Sequence, residues 1–319
     1  MSAIQRMDQV TPAWLTAVLG EEVVDIKFAM STSNWAQSAS IEAWMASGHR
    51  RSFWLKICHG STFGPSEVDY YLRDYIDLVD APLVTCHDAC FESGIGYHVL
   101  LDDLSADFSD RKSVPATLEH GLALAAAIAR LHAHHWENGS PPKAADWDLY
   151  FAQIRPGIEP IEAATGRSFR AEFESHAERL RQRWSNPVGL TLLHGDINPT
   201  NVLSPKGADA PVYILDRQPF DWNITYGLAA YDLAYAIVPW WPHDFRMQNQ
   251  LAILGYWFEN LGQPGYSWEQ AQSDWDLSVE HCLHIPIEWC REPDDVERMR
   301  SLWEWQLGNI TGPAVRELQ

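Results

Sequence analysis

Long apolar runs are missing from this sequence of 319 residues. The nearest approach, Leu122 to Leu131, is far shorter than the roughly 20 residues of a membrane-spanning helix, and Arg130 interrupts it. The opening stretch has Arg6 and Asp8 where a secretory signal peptide would need an apolar core. We therefore expect no membrane association and a cytoplasmic location.

Basic residues are scarce, since 23 Lys and Arg stand against 43 Asp and Glu and give a net charge of −20. Nucleic-acid binding needs clustered Lys and Arg to neutralise phosphates, so no nucleic-acid partner is expected. The charge is compatible with a cationic small-molecule substrate, although net charge mainly reports on solubility. The sequence makes no prediction of oligomeric state.

Paired cysteines and common hydrolase motifs are missing as well. The five cysteines are odd in number and include no CxxC pair, which argues against a disulfide framework or a zinc knuckle. His281, Cys282, His284 and Cys290 lie near one another in sequence, but core and surface roles are preferred over a metal cluster for them. Neither GxSxG nor HExxH occurs, which disfavours a hydrolase.

The most informative stretch runs from Thr191 to Tyr235. It starts with a short apolar segment that predicts a buried strand, and it then breaks into a loop at His194-Gly195-Asp196. Asn201 follows Asp196 by five residues, and a later apolar strand, Val212 to Leu215, ends at Asp216. This arrangement suits phosphoryl transfer from a nucleotide. Asp196 would orient and deprotonate a hydroxyl, and Asn201 and Asp216 would offer oxygen ligands to Mg²⁺.

These residues resemble the catalytic and metal loops of the aminoglycoside phosphotransferase and choline kinase-like families, which share the protein-kinase fold. The Trp-Trp-Pro string from Trp240 and the Tyr-Ser-Trp string from Tyr266 also resemble the ecdysteroid kinase-like branch. The resemblance implies an α+β, bilobal, protein-kinase-like fold. Its N-terminal lobe, 1–103, would consist of a mostly antiparallel sheet plus a helix, and this lobe would bind ATP. Its C-terminal lobe, 104–319, would be mainly helical and would hold the catalytic loop and the acceptor.

Residues around the catalytic loop match the family further. Asp232, in a Tyr-Asp-Leu-Ala run, would brace the loop at His194 through backbone hydrogen bonds. A helix predicted over Thr117 to His135 ends in a pattern that resembles the helix behind this loop, and we interpret His132 as a hydrogen-bonded core residue. The family usually has an aromatic residue after the metal-binding Asp, whereas this chain has Arg217, which either changes the local packing or contacts a phosphate.

The N-terminal part predicts a capped helix at Thr11 to Gly20 and a series of strands. Lys56 is the only Lys in the apolar strand Ser52 to Ile57, and a buried ammonium needs an anionic partner. Glu67, at the head of a helix predicted to start after the N-cap Ser66 and to end at Leu78, is the candidate. The pair resembles the strand-three Lys and helix-C Glu pair of kinases, which implies that Lys56 contacts the α- and β-phosphates.

Two further segments match the nucleotide-binding half of the family by position. The loop from Ser31 to Ser40 contains no glycine, but its small side chains, with Ser33 and Asn34 as candidates, stand where kinases cover the phosphates. Backbone groups from Leu101 to Asp103 stand where the adenine would bind.

The C-terminal part is rich in tryptophan, since nine of the sixteen Trp lie after residue 220. Some of these must be core, and others could line an acceptor pocket. The candidate acceptor-binding residues are Asp221, Asn223, Trp240, Trp241, Glu259, Asp274 and Glu288. Two helices are predicted, Phe169 to Trp184 and Leu251 to Leu261, and the Pro- and Gly-rich stretch 137–160 predicts a loop-rich insertion.

The segment between Asp216 and Asp232 is short and has no Ala-Pro-Glu anchor, so a small molecule is expected as acceptor rather than a peptide. The predicted activity is transfer of the ATP γ-phosphoryl group to a hydroxyl, with ATP and Mg²⁺ as cofactors. A nucleotidyltransferase and a nucleotide-binding pseudokinase on the same fold remain as alternatives.

Overall fold

A computed structural model of the protein describes residues 2–32, 36–60, 64–218 and 224–312. Within these ranges the strands are β1 (Val23–Thr32), β2 (Gln37–Met45), β3 (Arg50–His59), β4 (Cys86–Glu92), β5 (Gly96–Asp102), β6 (Phe108–Asp110), β7 (Leu190–Leu192), β8 (Val202–Pro205), β9 (Tyr213–Ile214) and β10 (Tyr226–Leu228). The helices are α1 (Pro12–Leu19), α2 (Ser66–Asp69), α3 (Leu118–His134), α4 (Ala144–Ile154), α5 (Ile158–Thr165), α6 (Arg170–Trp184), α7 (Ala229–Ile237), α8 (His243–Leu261), α9 (Trp268–His281), α10 (His284–Trp289), α11 (Pro293–Arg298) and α12 (Arg300–Thr311).

These elements form two units. The first comprises Met1–Ser109, Leu203–Ala208 and Tyr213–Gln218, and the second comprises Asp110–Val202, Asp209–Val212 and Pro219–Gln319. The α+β class, with an N-terminal antiparallel sheet and a mainly helical C-terminal part, is confirmed. The division into a nucleotide-binding lobe and a catalytic lobe at residue 103 stays a prediction.

The first unit is built on a five-stranded antiparallel sheet with the order β1-β2-β3-β5-β4. Alternate residues of β2 and β3, among them Ile41 and Leu55, are fully buried in one face. Because successive side chains of a strand point to opposite faces, Lys56 lies on the other face, where it is paired in register with Ser38. The period of two in the sequence therefore separates the core from the face that carries the candidate lysine.

Helix α1 packs on the buried face of this sheet through Leu15. It begins as predicted, because the Thr11 hydroxyl accepts a hydrogen bond from the Trp14 N–H at 3.1 Å. It ends at Gly20, whose φ of 69° is the left-handed conformation that glycine adopts without steric cost.

The helix predicted to end at Leu78 is shorter. It begins at Ser66 rather than after it, ends as an α-helix at Asp69 and continues as one π-helical segment, Tyr70–Asp74. The Tyr70 hydroxyl donates to the Ile214 carbonyl at 3.2 Å, and Asp74 contacts Arg217 at 2.9 Å. Both partners lie far along the chain, so local sequence signals could not predict where this helix ends.

The loop-rich insertion predicted at 137–160 is wrong, because most of this stretch lies in α4 and α5. Helix α4 buries Trp147, Tyr150, Phe151 and Ile154, which have the spacing of one helical face. Pro160 stands in the first turn of α5. Backbone N–H groups in the first turn have no acceptor within the helix, so the missing N–H of proline costs no hydrogen bond there. The prolines mark where helices begin in this stretch, not an irregular segment.

The core of the second unit is aromatic, with Phe151, Trp184 and Trp303 fully buried. Three histidines lie against it. The Tyr150 hydroxyl lies 2.8 Å from His281 Nε2 and 2.9 Å from His284 Nδ1, and His176 contacts His284 at 3.1 Å. None of the described helices combines the length and the apolar character that crossing a membrane would require.

These buried histidines predict acid sensitivity. Burial lowers the pKa of His176 to about 4 and lowers the pKa of His281 and His284. The unfolded chain therefore binds more protons than the folded one below about pH 6.5, so the free energy of unfolding should fall on acidification. Each histidine that stays neutral in the folded protein but is protonated in the unfolded chain lowers the free energy of unfolding by about 2 kcal/mol at about pH 5. Urea unfolding of the parent and of His176→Gln at about pH 7.5 and pH 5 measures this.

The variant should lose less stability than the parent over this pH range, because one proton-uptake site is gone. His59→Gln, which changes an exposed histidine, is the matched control and should behave like the parent. The same pH dependence in parent and His176→Gln would contradict the prediction.

Candidate active site

The loop after β7 is held by one buried carboxylate. Asp232, in the first turn of α7, accepts a hydrogen bond from the His194 N–H at 2.7 Å and from the Gly195 N–H at 2.9 Å. Gly195 has a φ of 82°, so the chain turns here in a conformation that suits glycine. The two backbone hydrogen bonds expected from Asp232 are present, and His194 is itself buried.

His132 supports the same carboxylate from α3. Its Nε2 lies 3.1 Å from Asp232 Oδ2, and the Trp257 indole N–H donates to His132 Nδ1 at 3.3 Å. Burial alone would raise the pKa of Asp232, but the hydrogen bond from His132 and the backbone hydrogen bond from His194 outweigh it and lower the pKa. Asp232 is therefore a charged, fully buried brace, and His132 is the hydrogen-bonded core residue that the sequence predicted.

Asp196 is surrounded by hydrogen-bond donors. The Tyr235 hydroxyl donates to Asp196 Oδ1 at 2.7 Å and the Asn198 amide at 2.9 Å, while the Asn201 amide donates to Oδ2 at 3.1 Å and to the Asp196 carbonyl at 2.9 Å. The sequence analysis missed Tyr235 and Asn198. A signal existed for Tyr235, because it follows Asp232 by three residues and so shares its helix face.

Lys56 lies between two carboxylates of the first unit. Its Nζ is 2.8 Å from Glu67 Oε2, so the expected ion pair is present, and it is also 2.8 Å from Asp216 Oδ1. Burial lowers the pKa of Lys56, but the two carboxylates outweigh it and the net pKa is raised. Burial, and then the charge of Asp216, raise the pKa of Glu67. The charge of Lys56 acts in the opposite direction but does not cancel this rise. The Tyr97 hydroxyl donates to the same Glu67 oxygen at 2.5 Å.

Asp216 is held in an unusual backbone conformation. Its φ is 58°, in the left-handed region that non-glycine residues seldom adopt and that is often found at functional sites. The next residue, Arg217, is 3% exposed, and its guanidinium lies 2.9 Å from Asp74 Oδ2 and 3.5 Å from the Ser66 carbonyl. Arg217 therefore packs inward against the segment that carries Glu67. Of the two alternatives from the sequence, changed local packing or contact with a phosphate, the structure has the changed packing.

Breaking the contact between Arg217 and Asp74 should lower the free energy of unfolding. Arg217→Met leaves Asp74 buried with a weaker partner, and the loss of one member of a buried ion pair costs about 3 kcal/mol. Arg73→Met is the matched control, since its guanidinium contacts the same carboxylate at 2.9 Å but its side chain is 67% exposed. We expect the control to cost less than about 1 kcal/mol in urea unfolding. Equal losses from the two variants would show that the buried position of Arg217 has no special role.

A cavity of about 350 Å³ lies on the Lys56 face of the sheet. It is lined by Lys27, Phe28, Ala29, Ser40, Glu42, Ser52, Asp103, Ser105 and Ala106. The Asp103 N–H donates to the Ser52 carbonyl at 3.0 Å, so this N–H is already used, and the Asp103 side chain bonds to the Ser40 hydroxyl. Leu101 lies within β5, in register with Trp54. Ser33 and Asn34 lie outside the described residues.

A second cavity, of about 450 Å³, lies within the second unit. Trp240 and Trp241, both acceptor candidates, line it, together with Ile197 and Pro199 of the loop after β7. Asp221 and Asn223 lie outside the described residues. Asp274 is 1% exposed and bonds to Arg183 and Tyr266, so its predicted role in acceptor binding is wrong.

Comparison with known proteins adds a family and a fold. The model of the phosphotransferase enzyme family APH matches residues 94–271. Among solved structures, the chain is similar to an aminoglycoside-3′-phosphotransferase of type VIII, with 17% identity over 83% of this chain and 97% of that one and a TM-score of 0.51. No curated protein matches the chain.

Two further solved structures are similar over most of their length. A thermostable mutant of an aminoglycoside phosphotransferase, in ternary complex with ADP and hygromycin B, shares 14% identity over 95% of this chain and 99% of that one, with a TM-score of 0.51. A macrolide 2′-phosphotransferase from Brachybacterium faecium shares 15% identity over 95% of this chain and 97% of that one, with a TM-score of 0.50. The predicted kinase-like fold and the predicted family resemblance are confirmed.

Proposed function

We propose that this chain, which belongs to the phosphotransferase enzyme family, transfers the γ-phosphoryl group of ATP to a hydroxyl of a small molecule. It is a small-molecule phosphotransferase by its family. The observation that carries the finer proposal is the environment of Asp196, a half-buried carboxylate that Tyr235 and Asn201 orient, on a loop that Asp232 braces. The related aminoglycoside phosphotransferase bound to ADP and hygromycin B supports a nucleotide and a hydroxyl-bearing acceptor.

Asp196 is the proposed catalytic residue. It would accept a hydrogen bond from the acceptor hydroxyl and take its proton while the new O–P bond forms and the bond to the β,γ-bridging oxygen breaks. The donors around Asp196 hold its carboxylate in one orientation. Its main contribution is therefore orientation, with the proton transferred late, as a loose phosphoryl-transfer transition state requires.

Lys56 is the proposed contact for the phosphates that are not transferred. Its ammonium is held charged by Glu67 and Asp216 at 2.8 Å, and an ammonium is a compact partner for phosphate oxygens. Backbone groups of Leu101 and Asp103 remain the proposed adenine contacts, with the Asp103 carbonyl rather than its N–H as the available group. Ser33 and Asn34 remain proposed for covering the phosphates.

Asn201 and Asp216 are the proposed ligands of Mg²⁺. A carboxylate and an amide carbonyl are the hard oxygen donors that this ion prefers. Asn201 uses its amide N–H groups on Asp196, at 2.9 and 3.1 Å. Its carbonyl oxygen, which accepts a long hydrogen bond of 3.4 Å from the Thr200 hydroxyl, is the group proposed to bind the cation. Mg²⁺, when bound, would neutralise charge on the transferred phosphoryl group. His194 and Asp232 keep the loop in place by the bonds described above.

An ATP-consumption screen over a library of hydroxyl compounds tests this proposal. We expect one acceptor class to stimulate ATP consumption and to gain one phosphate group by mass spectrometry. An acceptor that gains AMP instead would favour nucleotidyl transfer. ATP binding without turnover on any acceptor would favour a pseudokinase.

A further inference from the structure

The cavity of about 450 Å³ in the second unit opens beside the catalytic loop. Ile197 and Pro199 of that loop and Ala236 of α7 contribute to its lining. The Tyr235 ring, whose hydroxyl bonds to Asp196, contacts the ring of Trp240, with centroids 6.1 Å apart, and Trp240 lines the cavity. The cavity wall thus includes Ile197, which follows Asp196 in the chain, and Trp240, which contacts the side chain that bonds to the Asp196 carboxylate.

Aromatic rings form much of the wall. Trp240 and Trp305 have ring centroids 6.0 Å apart, and Trp241 and Phe245 have centroids 5.7 Å apart. Trp305 is 47% exposed, so it stands where the cavity meets solvent. Large aromatic surfaces of this kind gain most from flat, apolar ring systems, and the volume falls in the range of pockets for drug-sized ligands.

The charges of the lining disfavour a cation. Among the described residues that line the cavity none is Asp or Glu, and the charged ones are Arg111 and Lys112. Arg111 lies 3.1 Å from Asp209, which compensates its charge, whereas Lys112 is exposed. A polycation would lose water here without gaining a carboxylate. An aromatic cage alone can bind a quaternary ammonium, but choline is small for this volume and would meet two basic side chains.

Two further lining residues, Trp240 and His120, add no charge to the cavity. The Trp240 indole N–H and His120 Nδ1 have no hydrogen-bond partner among the residues that the structure describes. Burial, and then Arg111, lower the pKa of His120 to about 4, so its imidazole is neutral near pH 7. Both atoms are shielded from solvent, so at Trp240 and His120 the cavity presents ring surface and no charge.

We propose that the acceptor of this enzyme is an uncharged alcohol built on a rigid, apolar ring system, bound against Trp240, Trp241 and Trp305, and not a polycationic aminoglycoside or a choline-like cation. The inference rests on the proposed function only for the role of the bound molecule as acceptor.

Calorimetric binding to the full chain tests the inference without turnover. The probes are three uncharged ring alcohols (estriol, ecdysone and podophyllotoxin), kanamycin and choline. We expect at least one ring alcohol to bind about tenfold or more tightly than kanamycin and choline. Trp305→Ala should weaken that binding about tenfold. Trp240→Phe keeps an aromatic ring but reduces the apolar surface, and it should weaken binding less than Trp305→Ala does.

Charge reversal supplies a matched pair of variants. Lys112→Glu should raise the affinity for kanamycin and leave that for the ring alcohols within about twofold. Lys143→Glu changes the net charge equally at an exposed site that is not in the lining, and it should change neither. The inference is overturned if kanamycin or choline binds most tightly, if Trp305→Ala has no effect, or if no ring alcohol binds below about 1 mM.

The two proposals fail in different ways. A ring alcohol that binds as expected but receives no phosphate from Mg²⁺-ATP would support the inference and contradict the proposed function. Kanamycin that is phosphorylated, while the ring alcohols neither bind nor react, would support the proposed function and contradict the inference.

Discussion

Replacing Asp196 with Asn should lower kcat by about 10² to 10⁴-fold and leave the Kd for ATP within about threefold. The carboxylate is the proposed proton acceptor and orients the acceptor hydroxyl, whereas the contacts proposed for ATP are made elsewhere. Steady-state kinetics with the best acceptor and calorimetry with ATP measure the two quantities.

Tyr235→Phe is the matched control for this experiment. It removes one hydrogen bond to Asp196, at 2.7 Å, and keeps the carboxylate. A smaller loss, of about 3 to 30-fold in kcat, is expected from imperfect orientation. An Asp196→Asn enzyme that lost ATP binding but turned over normally would overturn the role given to this residue.

Asp216→Asn should abolish the part of ATP binding that depends on Mg²⁺. With ATP at about 100 times its Kd, the parent should gain about 2.7 kcal/mol of stability. A tenfold weaker Kd in the variant would remove about 1.4 kcal/mol of that gain. Thermal unfolding of both proteins with ATP, in Mg²⁺ and in EDTA, measures the difference.

Asp25→Asn is the control, because it removes the same charge from an exposed position on β1. It should retain the full effect of Mg²⁺. If ATP stabilised the parent equally with and without Mg²⁺, the assignment of Asp216 as a metal ligand would be wrong.

The features that the sequence predicted come from local patterns or from the family resemblance. The cap at Thr11 follows from residues a few positions apart, whereas the brace from Asp232 was implied by the resemblance. The Lys56 and Glu67 pair was predictable because a buried ammonium needs an anion and because Glu67 stands at the head of the next predicted helix, as in the resembling kinases.

The contacts that the sequence did not predict join residues far apart in the chain. Asp216 contacts Lys56, and Arg217 contacts Asp74, across more than a hundred residues. No period or spacing encodes such pairs. The helix α4 was missed for a different reason, because prolines near its end were given more weight than its buried face at Trp147, Tyr150 and Phe151.

The most direct test of the central claim, γ-phosphoryl transfer directed by Asp196, follows a label from ATP into the acceptor. ATP labelled at the γ-phosphorus and ATP labelled at the α-phosphorus are each incubated with Mg²⁺, the parent protein or Asp196→Asn, and the tightest-binding alcohol. With the parent protein we expect only the γ-label to enter the acceptor, and we expect the variant to transfer it at least about a hundredfold more slowly. Transfer of the α-label, or equal transfer by the variant, would contradict the central claim.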